Sequence, residues 1–153
     1  MRPYYESPRD LTNENSVSSV LKEKGLDLVK MPISYRLDFA MMRNGKVCGF
    51  AEVKTRNNRH DKYPTLMISL GKVMAARQLS EVTGTPSILF VKFLDGLYWC
   101  DFASPFTLEI GGRKDRQDSA DIEPVAHFAI SAFRRFGKSP AESRPPAESH
   151  PLE

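Results

Sequence analysis

Cysteine is scarce in this chain of 153 residues: Cys48 and Cys100 are the only two. They lie far apart and form no CxxC spacing, which argues against a zinc cluster or a disulfide framework and predicts two buried, reduced thiols. Histidine is scarce as well, with three in all, and His60 reads as a lone histidine without ligand-type neighbours. No apolar run approaches the roughly 20 residues of a membrane-spanning helix. The first ten residues, MRPYYESPRD, lack the apolar core of a signal peptide, so a cytoplasmic protein is expected.

A hydrophobic content of 41% over this length predicts one domain with a substantial core. That domain should span 1–137. From Lys138 the composition changes: Pro-Ala-Glu-Ser occurs twice, and Leu152 is the one large apolar residue. Such a segment buries too little surface to offset its ordering entropy, so 138–153 is expected to be a disordered tail. The net charge is +3 for the chain and +4 without the tail, mildly basic and compatible with nucleic acid.

The centre of the chain is Tyr35–Thr55, YRLDFAMMRNGKVCGFAEVKT, two alternating strands around Asn44-Gly45. A two-residue loop would place Asp38 across from Ala51 and away from Glu52 and Lys54. A three-residue loop, Arg43-Asn44-Gly45 with Gly45 as a G1 bulge, places all three charges on one face. Leu37, Phe39, Met41, Val47, Ala51 and Val53 then share the other face. This is the better core, and it predicts the longer loop.

Carboxylates such as Asp38 and Glu52 suit a hard, oxygen-liking cation such as Mg²⁺, with the Val53 carbonyl as a further ligand. Lys54, two residues from Glu52, is placed to orient a water and offset charge on a phosphate. Asp38 with Glu52-Val53-Lys54 resembles the PD-(D/E)xK nuclease superfamily, although Leu37 rather than proline precedes the aspartate. The likeness extends more loosely over residues 11–103 through the order helix, strand, hairpin, helix, strand. It implies an α/β fold with a restriction-endonuclease-like core, a central mixed β-sheet flanked by helices. It further implies a small, phage-type or Holliday-junction-resolvase-like nuclease using Mg²⁺, for which Mn²⁺ can substitute.

The flanking segments supply further candidates. A first helix over 12–24, capped by Thr12 or Asn13 and closed by Gly25, puts Glu14 along its apolar stripe. The resemblance makes Glu14 a metal ligand; complementing the helix dipole is an equal reading. Residues 55–64 form a polar loop whose Arg56, Arg59 and Lys62 could contact a phosphate backbone or simply be solvated. Met67–Thr83 is expected to be the second helix, with Ile68, Val73, Met74, Ala76, Leu79 and Val82 inward. In the resembled family a Gln or Lys of this helix supports the site, which singles out Lys72 and Gln78. Strands follow at 87–94, 97–102, 106–110 and 125–130, with Asp95-Gly96 as a hairpin turn and a mixed-sign loop at 113–118.

The expected function is metal-dependent hydrolysis of DNA phosphodiester bonds, endonucleolytic or exonucleolytic. Little chain remains for reading a base sequence, so recognition of a DNA structure, or direction by a protein partner, is expected. A homodimer would present two sites to a duplex. If phage-encoded, the protein would act in the host cytoplasm. The alternative is a non-catalytic nucleic-acid-binding or protein-interaction module on the same fold. A third reading, a hairpin with surface charges only, predicts Asp38 and Glu52 on different faces or in bulk water.

Overall fold

A computed structural model describes residues 8–111 and 123–137, with side chains from residue 13 onward. The 113–118 loop and the 138–153 tail lie outside the described residues. The chain begins with helix α1 (Pro8–Glu23) and strand β1 (Asp27–Lys30), followed by a short 3-10 turn at Ile33–Tyr35. Strands β2 (Phe39–Arg43), β3 (Lys46–Thr55) and β4 (Thr65–Ser69) precede helix α2 (Leu70–Thr83). Then come β5 (Ser87–Phe93), β6 (Gly96–Asp101), β7 (Phe106–Gly111), β8 (Glu123–Ala129) and the two-residue β9 (Arg134–Arg135). No helix among the described residues is long and apolar enough to cross a membrane.

The fold is α/β, and its main sheet is mixed, in the order β1-β2-β3-β5-β6-β9. The central pair β3 and β5 is parallel, and its neighbours are antiparallel. A parallel pair needs a long crossover, which β4 and α2 supply. Among the described residues the strands form two sheets instead of one, because β4, β8 and β7 form a separate three-stranded sheet. The main sheet is covered on both faces. One face packs Phe39, Met41, Ala51, Val53, Ile88 and Phe90 against Val17 and Leu21 of α1. The other packs Phe50, Leu89 and Val91 against Val73 and Ala76 of α2 and against Leu66, Ile68 and Phe128 of the small sheet.

Several sequence expectations change. Helix α1 starts earlier than 12, at Pro8; proline suits a first helical turn, where its missing N–H is no loss. The stretch 65–69 is a strand, not the start of α2: Leu66 and Ile68 are buried while Met67 is exposed, a period of two. Ser69 then caps α2, its hydroxyl accepting from Lys72 N at 3.3 Å. With the helix starting at Leu70, Val73 and Ala76 are buried and Met74 and Val82 face solvent.

The hairpin differs in a way that decides the site. The turn has two residues, Asn44 (φ 52°) and Gly45 (φ 75°), both left-handed as a type I′ turn requires, and Arg43 pairs with Lys46. Alone, that register would separate Asp38 from Glu52. A bulge at Cys48 intervenes, since Met42 pairs with Val47 but Met41 with Gly49. The extra residue flips every later side chain of β3 to the opposite face. Phe39 therefore pairs with Ala51, and the next step brings Asp38 alongside Glu52. Leu37 leaves the Phe39 face for the α2-side core, and Val47 is exposed.

Candidate active site

Arg36 ends the 3-10 turn in a left-handed conformation (φ 65°), unusual for a residue with a Cβ. The chain reverses there, sending Leu37 into the core and Asp38 to the start of β2. Asp38 is 4% exposed and Glu52 1%. Asp38 Oδ2 accepts from the Val53 amide at 3.2 Å, which fixes the first carboxylate against the strand that bears the second.

Glu52 is held by two lysines. Lys72 Nζ, from the first turn of α2, lies 2.8 Å from Glu52 Oε1, and Lys54 Nζ lies 3.6 Å from the same oxygen. Lys72 also donates to the Arg36 carbonyl at 2.5 Å, joining α2 to the left-handed turn. The other oxygen, Oε2, is buried with no hydrogen-bond partner among the described residues. Burial, and then the neighbouring Asp38 charge, raise the Glu52 carboxyl above its ordinary range, against the opposing pull of Lys72 and Lys54.

Asp38, Glu52 and Lys54 are thus brought together, with Lys72 beside them. Glu14 reaches the cluster through an intermediary, Lys30 at the end of β1. Lys30 Nζ donates to Glu14 Oε1 at 2.9 Å and Oε2 at 3.2 Å, and it lies 3.9 Å from Asp38 Oδ1. It also stands 4.9 Å from the centre of the Phe39 ring. Lys30 carries no signal of its own in the sequence, because a lysine closing a short exposed strand looks solvated. Gln78 is exposed and, six residues after Lys72, projects about 240° away around the helix; it does not join the site.

The three basic loop residues separate. Arg56 is inward, its Nη1 donating to Thr55 O at 3.1 Å and its Nη2 to Met67 O at 3.4 Å. Arg59 is exposed and sits 3.7 Å from both Asp61 and Asp95. Lys62 lies over the Tyr63 ring at 5.4 Å. His60 has acidic neighbours after all: its Nδ1 lies 2.5 Å from Asp95 Oδ2, and Asp61 is close enough for the three to offer ligand atoms to one ion. The His60 ring stacks on Tyr98 at 4.4 Å, and its amide donates to Asp95 Oδ1 at 2.8 Å. Although burial works the other way, these hydrogen bonds hold the Asp95 carboxyl down at about 2. With Arg59 already beside both acids, this cluster fastens the basic loop to the β5–β6 turn.

The donor set fits a divalent cation at Asp38 and Glu52. Two hard carboxylates converge in a buried place, one oxygen has no partner among the described residues, and burial with the neighbouring Asp38 charge disfavours ionised Glu52, a cost that a bound divalent cation would offset.

The family model described as "Phage putative PDDEXK endonuclease" matches residues 1–136. Among solved structures, the chain is similar to Hjc, a Holliday junction resolvase from Archaeoglobus fulgidus, an archaeal hyperthermophile. The TM-score is 0.56 at 14% identity, covering 81% of this chain and 86% of Hjc. At that identity the likeness is one of fold, the mixed sheet between helices. Comparison with curated proteins gives no match.

Proposed function

Since this chain belongs to the phage PDDEXK endonuclease family, we propose that it hydrolyses DNA phosphodiester bonds at the Asp38–Glu52–Lys54 cluster with a divalent cation, Mg²⁺ or Mn²⁺. The observation that carries this reading is the buried acid pair whose Glu52 Oε2 has no partner, flanked by Lys54 and Lys72. Asp38 and Glu52, with the Val53 carbonyl, would hold the cation. When bound, it polarises a phosphate oxygen and lowers the pKa of a coordinated water.

The remaining roles belong to the chain. Lys72 occupies Glu52 Oε1 and leaves Oε2 for the cation. Lys54, about a third exposed on its side chain, faces the opening, where its ammonium can orient the attacking water and offset the charge that grows on the phosphate. Glu14 acts on the acids through Lys30. Arg56 continues the row of cations along the same strand face. The small size of the domain favours recognition of a DNA structure over a long base sequence.

The experiment is cleavage of linear duplex, single strand, nicked circle and four-way junction with Mg²⁺, Mn²⁺ or EDTA, for wild type, Asp38→Ala and Lys54→Ala. Metal-dependent cutting that both substitutions abolish is the expected result. Equal inertness of all three proteins with DNA binding retained would overturn it in favour of a non-catalytic binding module.

A further inference from the structure

Arg56 lies just past the end of β3, about 6.6 Å beyond Lys54, and continues the alternation of Glu52 and Lys54, its amide donating to Lys92 O at 2.9 Å. Arg56 lines two cavities. The first, about 330 Å³, is lined by Lys54 and Lys72, the two lysines on Glu52, together with Ser69 and Glu123. The second, about 350 Å³, is walled by Tyr63, Phe93, Leu66, Ile130 and the rings of His60 and His127. Arg56 and Met67 line both, so the two cavities adjoin across these side chains.

The two halves differ in chemistry. The first sets three cations, Lys54, Arg56 and Lys72, against one acid, Glu123, and so offers an anion a net positive lining. The second offers rings and aliphatic carbon, with polar atoms confined to a few positions, the character of a site for a flat organic group. Its walls are held in place: His60 by Asp95 and Tyr98, and His127 by Thr65, whose hydroxyl is 2.9 Å from Nδ1. Tyr63, 55% exposed, lines the cavity with Lys62 over its ring. A cavity of this size suits one flat ring system, and the adjoining cations of the first cavity favour a ligand that also carries a phosphate.

Resting on the nuclease reading above, we propose that the second cavity receives an unstacked nucleobase of the strand whose phosphate lies in the Lys54–Lys72 cleft. Arg56 stands between the two parts of that nucleotide, and its planar guanidinium offers the base a stacking surface, as arginine does for unpaired bases elsewhere. A base still stacked and paired in a duplex must first be extruded, at a cost of a few kcal/mol. The preferred substrate is therefore DNA with an unpaired nucleotide next to the cut: a flap, a frayed end, a mispair or a junction arm.

The test leaves the protein fold untouched by altering the DNA. A single abasic residue is moved one position at a time through a single-stranded and a flapped oligonucleotide. Binding is followed by fluorescence anisotropy, using wild type in EDTA and Lys54→Ala in Mg²⁺, and wild-type cutting of the unmodified DNAs is measured alongside. The expected result is roughly a ten-fold loss of affinity at one position, as for removal of one stacked base, and little change elsewhere. A flat profile overturns the base pocket, and if cutting is normal the nuclease reading stands. A position-specific loss without any cutting keeps the pocket and removes the nuclease reading. Absence of binding to every oligonucleotide overturns both.

Discussion

Lys72 Nζ lies 2.8 Å from Glu52 Oε1, a contact between the first turn of α2 and the middle of β3 that neutralises one side of a buried carboxylate and leaves the other side open. The pair is too buried for solvent to compensate if one partner is lost. Lys72→Met should therefore destabilise the metal-free protein by about 3 kcal/mol, the usual scale for stranding a buried charge. Glu52→Gln with Lys72→Met should recover most of that loss. Urea unfolding of the two single variants and the double variant checks this; additive effects would mean the two side chains act independently.

Glu52 also makes cation binding depend on pH. Its carboxyl is raised, by burial first and by Asp38 second. In a group with a raised folded pKa, the protonated form is the stabilised one, so its contribution is present at low pH and lost as pH rises through the folded value. Two outcomes follow. The metal-free protein should weaken as pH rises through this titration, and Glu52→Gln should remove that slope. Divalent-cation affinity should strengthen over the same interval, with proton release on binding. Titration calorimetry in buffers of different ionisation enthalpy measures the protons directly.

Asp95 runs the other way. Its carboxyl is held down at about 2 by hydrogen bonds from His60. A depressed acid stabilises the fold above its unfolded pKa and ceases to do so as pH falls through the folded value. The His60–Asp95 fastening should thus fade between about pH 4 and pH 2. Asp95→Asn should lose about 2 kcal/mol at neutral pH, the scale of a hydrogen bond to a charged group. Because the fastened loop carries Arg56, hydrogen exchange of residues 56–64 should speed up in the variant.

The acids were legible in the sequence because alternation along 50–55 is a strong signal and an aspartate precedes a paired strand. The reason for their meeting was not legible as it stands. Patterning demands that Asp38 and Glu52 share a face, and a longer turn is the simplest way for a sequence to meet that demand. The structure achieves it with a tight turn and a bulge at Cys48, beside Gly49, where the strand runs too close to Met41 and Pro86 to admit a side chain. Lys30 and the strand at 65–69 were hidden for a related reason. Each takes its role from a partner far away in the chain, Glu14 and β8 respectively, and local periodicity carries no information about such partners. Lys72 stood out only by its position on the helix after Lys54, and Gln78 shared that signal without sharing its face.

The bulge itself can be tested at Gly49. A methyl group there would come within 2.5 Å of Met41 Cε and 2.7 Å of the Pro86 carbonyl oxygen. The methionine terminus can swing aside, but the backbone oxygen cannot, because Pro86 O accepts from the Phe50 amide at 2.9 Å. Gly49→Ala must therefore push β3 away from the segment leading into β5, with a stability loss of about 1–3 kcal/mol, as for other overpacked interiors. The displacement begins three residues before Glu52, on the strand whose register places Glu52 beside Asp38. Gly49→Ala should accordingly weaken divalent-cation binding several-fold at temperatures where the variant is still folded, whereas Gly45→Ala, at the open hairpin tip, should lower stability without touching cation affinity. Thermal melts of both variants with and without Mg²⁺ separate the two cases. An equal Mg²⁺-induced rise in Tm for Gly49→Ala and wild type would show that the bulge supports the fold and not the geometry of the acids.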